Sequence, residues 1–126
     1  MKIVSVDHFV LTVRDVGRTI KFYQEVLGMK HFIFDEGCHA LHFGTQKINL
    51  HPYRNEYEPH ADITLPGSAD FCFISDTRME DIVEALARSG VEIEDGPCLQ
   101  QGARGKMQSV YFRDPDGNLV EVAVYE

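Results

Sequence analysis

The sequence predicts an α+β fold made of two consecutive βαβββ modules. The same order of strand and helix patterns occurs twice, and the glycines that end the two helix patterns, Gly28 and Gly90, lie 62 positions apart. The stretch Asp114-Pro115-Asp116-Gly117 has the residue types of a tight turn, and it predicts a closing hairpin in the second module. The repeated order indicates an internal duplication. The predicted boundaries are module one at 1–52, a connecting loop at 53–68 and module two at 69–126.

The first module begins with an apolar strand pattern at 3–13, which is followed by a helix pattern at 15–28. The helix is predicted from apolar residues at helical spacing, namely Val16, Ile20, Tyr23 and Leu27, and Gly28 is expected to end it. Three further strands are predicted at 29–34, 39–44 and 47–52.

The second module repeats this order with a strand at 70–75 and a helix at 76–90. Thr77 and Glu80 have the spacing of a capping box at the start of that helix. A strand at 91–96 is predicted next, and a loop at 99–106 follows it. The closing hairpin is predicted from the strand patterns at 107–114 and 118–125.

Composition and charge exclude several classes of function. The 126-residue chain has a formal net charge of −8, which argues against the basic footprint of a nucleic-acid-binding protein and against attachment to anionic membranes. No apolar run reaches transmembrane length. The three cysteines are odd in number and widely spaced, which favours reduced thiols and a cytoplasmic location.

A carboxylate, Glu121, lies in the middle of an otherwise apolar strand pattern. Strand alternation turns Val120 and Val122 toward the helices and Glu121 toward the opposite face. The same reasoning places five polar residues on that face, namely His8, Asn49, His51, Asp70 and Glu121. The duplication aligns Asn49 with Glu121 at an offset of 72. Imidazoles and carboxylates that face one way are typical of a site for Fe, Mn, Ni or Zn, although each residue alone is also compatible with a solvated side chain.

The stretches "DHFVLTVRDVGRTIKFYQEVLGM" and "YFRDPDGNLVEV" are similar to the vicinal-oxygen-chelate superfamily, which includes glyoxalase I, extradiol dioxygenases, fosfomycin-resistance transferases and bleomycin-binding proteins. The segments "HFGTQKINLH", "LPGSADFCFI" and "GARGKMQSVYFRDPDGNLVEV" resemble a subgroup of glyoxalase-domain proteins, some of them virulence-associated or dioxygenase-related. The resemblance implies a curved mixed sheet with helices on its outer face, and a homodimer.

The resemblance also implies a site for a divalent metal. The metal positions of the superfamily map onto His8, Asn49, Asp70 and Glu121, where Asn49 and Asp70 depart from the usual residue types. His51 is expected either to complete the ligand set with His8 and Glu121 or to hydrogen-bond a substrate. Glu121 or Asp70 is the expected general base.

Substrate contacts are predicted for Asn49 and for two cations of the 99–106 loop, Arg104 and Lys106. The loop is interpreted either as a mobile lid that holds an anionic substrate or as a solvated hairpin loop.

The leading hypothesis is a metal-dependent glyoxalase-like lyase or isomerase that acts on a small substrate with vicinal oxygens. One alternative is an Fe(II) extradiol-type dioxygenase, and another is a non-catalytic protein that sequesters a small molecule.

Overall fold

The computed structural model describes all 126 residues and divides them into two compact units, Met1–Pro66 and Gly67–Glu126. The first unit contains, in chain order, β1 (His8–Val13), α1 (Val16–Glu25), β2 (Lys30–Phe34), β3 (Cys38–Phe43) and β4 (Gln46–Pro52). The second contains β5 (Asp70–Ile74), α2 (Met79–Arg88), β6 (Asp95–Gly102), β7 (Gly105–Arg113) and β8 (Leu119–Tyr125). Each unit has one strand, one helix and three strands, which confirms the predicted α+β fold class.

The two units carry sheets of the same topology. The strand order is β1-β4-β3-β2 in the first unit and β5-β8-β7-β6 in the second. In each sheet the first strand runs parallel to the last, and the other neighbouring strands are antiparallel. Both sheets are therefore mixed, with the unit's first and last strands side by side.

The register of the parallel strand pairs confirms the predicted correspondence of Asn49 and Glu121. Val10 pairs with Asn49 in the first sheet, and Cys72 pairs with Glu121 in the second. Cys72 lies 62 positions after Val10, and Glu121 lies 72 positions after Asn49, as the duplicated pattern requires.

Burial alternates along the strands as their sequence pattern predicts. In β4, Ile48 and Leu50 are fully buried while Asn49 between them is half-buried. In β8, Val120 and Val122 are buried and Glu121 is half-buried. The valine and leucine side chains form the core under the helix, so the polar side chains lie on the other, open face of each sheet.

Helix α1 begins at a capping residue and ends near the glycine that was predicted to stop it. The carboxylate of Asp15 accepts a hydrogen bond from the backbone N–H of Arg18 at 3.0 Å. Tyr23 is fully buried on the inner face. Gly28 follows the helix with φ +67, a left-handed conformation that glycine adopts without a steric penalty.

Helix α2 starts three residues later than predicted, and the predicted capping box is wrong. Its N-cap is Arg78, whose side chain makes no capping hydrogen bond. The backbone N–H of Thr77 instead donates to the hydroxyl of Ser75 at 3.0 Å. Each helix has 10 residues, and neither is long and apolar enough to cross a membrane.

Strand β6 corrects two sequence predictions, because neither a strand at 91–96 nor a long loop at 99–106 is present. The strand extends from Asp95 to Gly102, and Gly102 pairs with Gly105 across a two-residue turn. The sequence did not predict this strand because its residues are mostly polar. They can be polar because β6 is an edge strand of its sheet, where side chains face solvent. Gly96 has φ +94 and leaves no room for a Cβ beside the carbonyl oxygen of Ser109.

Candidate functional site

Glu121 is the centre of a polar cluster on the open face of the second sheet. The hydroxyl of Ser109 donates a hydrogen bond to Glu121 Oε2 at 2.6 Å. Cys72 and Tyr111 are the cross-strand neighbours of Glu121 on β5 and β7, one on each side. The phenol of Tyr111 also hydrogen-bonds the carboxylate. The single thiol hydrogen of Cys72 is directed to the carbonyl oxygen of Phe73, at 3.8 Å, although the thiol is close enough for the carboxylate to affect its pKa. We refer to Cys72, Ser109, Tyr111 and Glu121 as the Glu121 cluster.

The electrostatics of this cluster favour the protonated forms of the Tyr111 phenol and the Cys72 thiol. Burial, together with the neighbouring Glu121 carboxylate, raises the pKa of the Tyr111 phenol to about 12. Partial burial and the same carboxylate raise the pKa of the Cys72 thiol to about 12. The phenol of Tyr111 therefore keeps its proton at neutral pH, and together with the hydroxyl of Ser109 it fixes the orientation of the carboxylate.

Ser109 and Tyr111 were missed in the sequence, although a signal for them existed. Alternation along β7 buries Val110 and Phe112 and turns Ser109 and Tyr111 to the face of Glu121. They were not predicted because the expected metal ligands were imidazoles and carboxylates, and hydroxyl groups are weak metal ligands.

Asp70 lies at the start of β5, on the same face as Cys72 and exposed to solvent. The pKa of the Arg113 guanidinium is raised chiefly by its hydrogen bond with Glu94 and to a smaller extent by the charge of Asp70. Arg113 donates to both carboxylate oxygens of Glu94, at 3.0 and 2.8 Å. Asp70 is therefore a solvent-accessible carboxylate on the open face.

His8 begins β1 in the first unit and is exposed. Its Nδ1 lies 2.8 Å from Oδ2 of Asp7. This hydrogen bond lowers the pKa of the Asp7 carboxyl. Because a carboxylate oxygen only accepts, Nδ1 of His8 is the donor in this contact, so Nε2 is the ring nitrogen that faces away from Asp7.

Asn49 and His51 lie two residues apart on β4 and share the open face of the first sheet. Oδ1 of Asn49 and Nδ1 of His51 are buried and have no hydrogen-bond partner. His51 is 8% exposed, and burial lowers the pKa of its imidazole. The ring of Tyr57 packs edge-on against it, with the centroids 5.1 Å apart.

Of the two predicted substrate cations, Arg104 lies in the two-residue β6–β7 turn and Lys106 lies near the start of β7. The segment is a hairpin, which was one of its two interpretations, and it is too short for the other, a mobile lid. The guanidinium of Arg104 lies 4.3 Å from the centre of the Tyr125 ring, and its backbone N–H donates to the Tyr125 hydroxyl at 3.0 Å. Lys106 is exposed on β7. Alternation turns its side chain to the face opposite that of Ser109 and Tyr111. Substrate binding by Arg104 and Lys106 stays a prediction.

The predicted metal ligands are distributed over both units. His8 and His51 belong to the first unit, and Asp70 and Glu121 belong to the second. The structure contains no group of three or more His, Cys, Asp or Glu side chains placed to hold a metal ion. What the structure does gather is the Glu121 cluster in the second unit and the Asn49–His51 pair in the first.

A family model described as the Glyoxalase/Bleomycin resistance protein/Dioxygenase superfamily matches residues 5–122 of the chain. Virulence protein STM3117 of Salmonella typhimurium is 49% identical over 125 residues, which are 99% of this chain and 87% of that protein. Glyoxalase domain-containing protein RDO1 of Mycosarcoma maydis is 43% identical, over 97% of this chain and 69% of that protein. Metallothiol transferase FosB of Lysinibacillus sphaericus is 29% identical, over 96% of this chain and 82% of its own.

Solved structures share the fold along the whole chain. The crystal structure of virulence protein STM3117 superposes with a TM-score of 0.99 at 48% identity and covers 100% of both chains. An integron cassette protein from the mobile metagenome of V. cholerae superposes with a TM-score of 0.98 at 52% identity, over 100% of this chain and 98% of that one.

Proposed function

The chain belongs to the Glyoxalase/Bleomycin resistance protein/Dioxygenase superfamily, and on that premise we propose that it is a metal-dependent, glyoxalase-like lyase or isomerase. The proposed substrate is a small molecule with two adjacent oxygens. The observation that carries the proposal is the Glu121 cluster, in which the hydroxyl groups of Ser109 and Tyr111 orient one carboxylate on an open sheet face. The relatives named metallothiol transferases support a dependence on metal.

The donor chemistry fits a divalent transition metal. We propose His8, Asp70 and Glu121 as its protein ligands, because one imidazole and two carboxylates suit Fe, Mn, Ni or Zn. The contact between His8 and Asp7 supports this assignment, since a carboxylate behind a histidine commonly orients a metal-binding imidazole. We assign His51, which is buried beside Tyr57, to substrate rather than to the metal.

Glu121 and Asp70 have different roles in the proposed reaction. When bound, the metal supplies Lewis acidity toward two adjacent substrate oxygens. Glu121 is held in one orientation by Ser109 and Tyr111, which suits a fixed ligand. Asp70 is exposed and has room to move a proton at a carbon next to a carbonyl, which suits a general base.

Metal analysis of the protein purified without a histidine tag tests the proposal. We expect about one divalent metal ion per chain, as in mononuclear catalytic sites. His8→Ala and Glu121→Ala should lose the metal, whereas His60→Ala and Glu92→Ala, which remove an exposed histidine and an exposed glutamate, should keep it. A wild-type protein that takes up no metal, or two site variants that retain it, would contradict the proposal.

Mixing the His8→Ala and Glu121→Ala variants tests whether the ligands of one metal site come from one chain or from the two chains of a homodimer. If each site takes His8 from one chain and Glu121 from another, a mixed dimer of the two variants contains one intact site. Metal binding should then return on mixing. Variants that stay free of metal together would indicate that each chain supplies its own ligands.

A second candidate is a binding protein that sequesters a small molecule without chemistry. The first sheet favours it, because Asn49 stands where the second sheet has Glu121, and an amide is a weak metal ligand. Thermal stabilisation by an organic ligand with no response to metals would favour this candidate over the enzyme.

A further inference from the structure

Two imidazoles of the first unit form a hydrogen-bonded pair on the side of the sheet that faces the helix. Nε2 of His31 on β2 lies 2.7 Å from Nδ1 of His39 on β3, and the contact is partly buried. The residues directly opposite them in the sheet are Leu41 and Leu50, which belong to the buried core. Because residues directly opposite each other share a face, the pair lies away from the open face of the sheet.

The ring geometry is that of a shared proton rather than of a metal site. The ring planes are inclined by 15° and their centroids are 5.0 Å apart. This separation is about the sum of the N···N distance and the two distances from centroid to nitrogen, so the rings meet edge to edge and are not stacked. The two nitrogens therefore point at one another, whereas two nitrogens that bind one metal ion both point at the metal.

The contact requires one nitrogen with a proton and one without. A neutral imidazole has one N–H group and one lone pair, whereas a protonated imidazole has two N–H groups and no lone pair. With both rings neutral, or with one ring protonated, a single proton lies between Nε2 of His31 and Nδ1 of His39. With both rings protonated, two N–H groups and two positive charges face each other, and the hydrogen bond is lost.

The surroundings of the pair disfavour the second positive charge. Burial lowers the pKa of the His31 imidazole, and the charge of His39 lowers it further. The other residues on the helix side of the sheet are uncharged, namely Phe9, Leu11, Val13, Ile33, Leu41, Phe43, Gln46, Ile48 and Leu50. Thr19 and Tyr23, which α1 buries, carry no charge at acid pH.

The charged or titratable residues nearest to the pair in the sequence are exposed, namely Glu25, Lys30, Asp35, Glu36 and His42. Lys30 and His42 are opposite each other in the sheet, and alternation turns both to the open face. The charge that acts on His31 is therefore that of its partner, His39.

Strand β2 depends on this contact because few other interactions hold it. It is the edge strand of its sheet and pairs with β3 alone. None of its five residues is buried, and Phe32 and Ile33 are 52% and 61% exposed. A strand that buries little apolar area opens more readily than the core, so the loss of one side-chain hydrogen bond weakens it measurably.

We propose that the His31–His39 pair is a pH-sensitive switch, which holds the edge strand β2 against β3 while one proton lies between the two rings and releases β2 when acid protonates both. The released edge exposes backbone N–H and C=O groups that can pair with another chain. The switch requires neither the proposed metal nor the proposed reaction.

Urea denaturation of the wild type and His31→Gln at about pH 7.5 and about pH 5 tests the proposal. The pKa of His31 is lower in the folded chain than its ordinary value of 6.5, so the contribution of the pair to stability is present above that pH and is lost as the pH falls through the folded value. The glutamine amide can donate to neutral His39 or accept from protonated His39, so it keeps a hydrogen bond at both pH values.

On acidification, the equilibrium constant for unfolding should therefore rise at least about threefold more in the wild type than in His31→Gln. His42→Gln is the matched control, because His42 is exposed on the other face of β3, and it should respond to pH like the wild type. An equal rise in the wild type and His31→Gln would overturn the proposal.

Amide hydrogen exchange of the wild type measures the release of β2 without relying on a variant. Between the same pH values, the protection factors of β2 amides bonded to β3 should fall at least about threefold relative to those of β8. Equal changes in the two strands would show that acid does not act on the edge strand, which contradicts the proposal.

Ring-nitrogen NMR of histidine-labelled protein locates the protons. His31 and His39 should lose their protons in two separate steps, and two histidines that titrate independently at the ordinary value would contradict the shared proton. The difference between the wild type and His31→Gln should be the same with and without EDTA. A difference that disappears in EDTA would mean that the pair holds a metal ion, which would also overturn the proposal.

Discussion

The two sheets have the same strand order and register, yet the equivalent residues Asn49 and Glu121 have opposite surroundings. Glu121 lies between Cys72 and Tyr111, and it accepts hydrogen bonds from Tyr111 and Ser109. Asn49 lies between Val10 and Ala40, which cannot donate. The second sheet therefore satisfies its central polar group with its own side chains, whereas the first leaves its own unsatisfied. The repeated backbone is common to both units, and the cross-strand neighbours determine what each open face can bind.

The largest expected effect concerns the turn that only the second unit possesses. The carboxylate of Asp114, which is 6% exposed, accepts hydrogen bonds from the backbone N–H groups of Asp116 and Asn118 and from the Asn118 amide, at 2.8–2.9 Å. Asp114→Ala leaves these donors buried without a partner. We expect it to lower the free energy of unfolding by about 2–4 kcal/mol. Urea denaturation measures this loss, and the exposed control Asp76→Ala should unfold like the wild type.

An intermediate effect comes from making the same substitution in both sheets. Glu121→Leu deprives Ser109 and Tyr111 of their acceptor and should lower the free energy of unfolding by about 1–3 kcal/mol. Asn49→Leu removes an oxygen that already lacks a partner, so stability should stay unchanged or rise. Urea denaturation of the pair measures the difference. Equal losses in the two variants would show that the contrast between the sheets has no energetic basis.

The smallest expected effect is a rise in the pH at which the Tyr111 phenol titrates. Tyr111 should lose its proton near pH 12, above the ordinary value of about 10 for the phenol of tyrosine. Above pH 10 the unfolded chain releases this proton while the folded chain keeps it, so the contribution of Tyr111 to stability is lost as pH rises from 10 to 12.

Ring-carbon NMR of labelled tyrosine measures the titration, and Tyr111→Phe identifies the signal. Glu121→Gln removes the nearby charge and should lower the pKa of Tyr111 toward 10. A Tyr111 that titrates with the other tyrosines would contradict the hydrogen bond to Glu121.

The duplication was predictable because its signals are local. Gly28 and Gly90 end equivalent helices, and alternation in β4 and β8 shows which residues face the core. The correspondence of Asn49 with Glu121 follows from these patterns alone, and the structure confirms it.

The remaining features depend on contacts that sequence periodicity does not record. Strand β6 was missed because an edge strand needs no apolar alternation. Of the two interpretations of the 99–106 segment, the structure agrees with the hairpin loop, because Gly102 and Gly105 pair across a tight turn. The side chains of the Glu121 cluster come from three strands, β5, β7 and β8, so their convergence depends on the sheet register. The first unit also has a small cavity that Asn49, His51 and Tyr57 help to line, and it depends on Tyr57, which lies outside every strand and helix.

The turn at Asp114 also has a consequence for how the chain folds. The Asn118 amide held by Asp114 accepts a hydrogen bond from the backbone N–H of Ala69, 49 residues earlier in the sequence and next to the start of β5. The turn between the adjacent strands β7 and β8 thereby helps to fix the register of the parallel pairing between β5 and β8, whose formation closes a long loop. A shift of one residue in that register would turn Cys72 away from Glu121 and bring Phe71 or Phe73 to the open face. The conformation of a five-residue turn thus decides which face of a distant strand meets solvent.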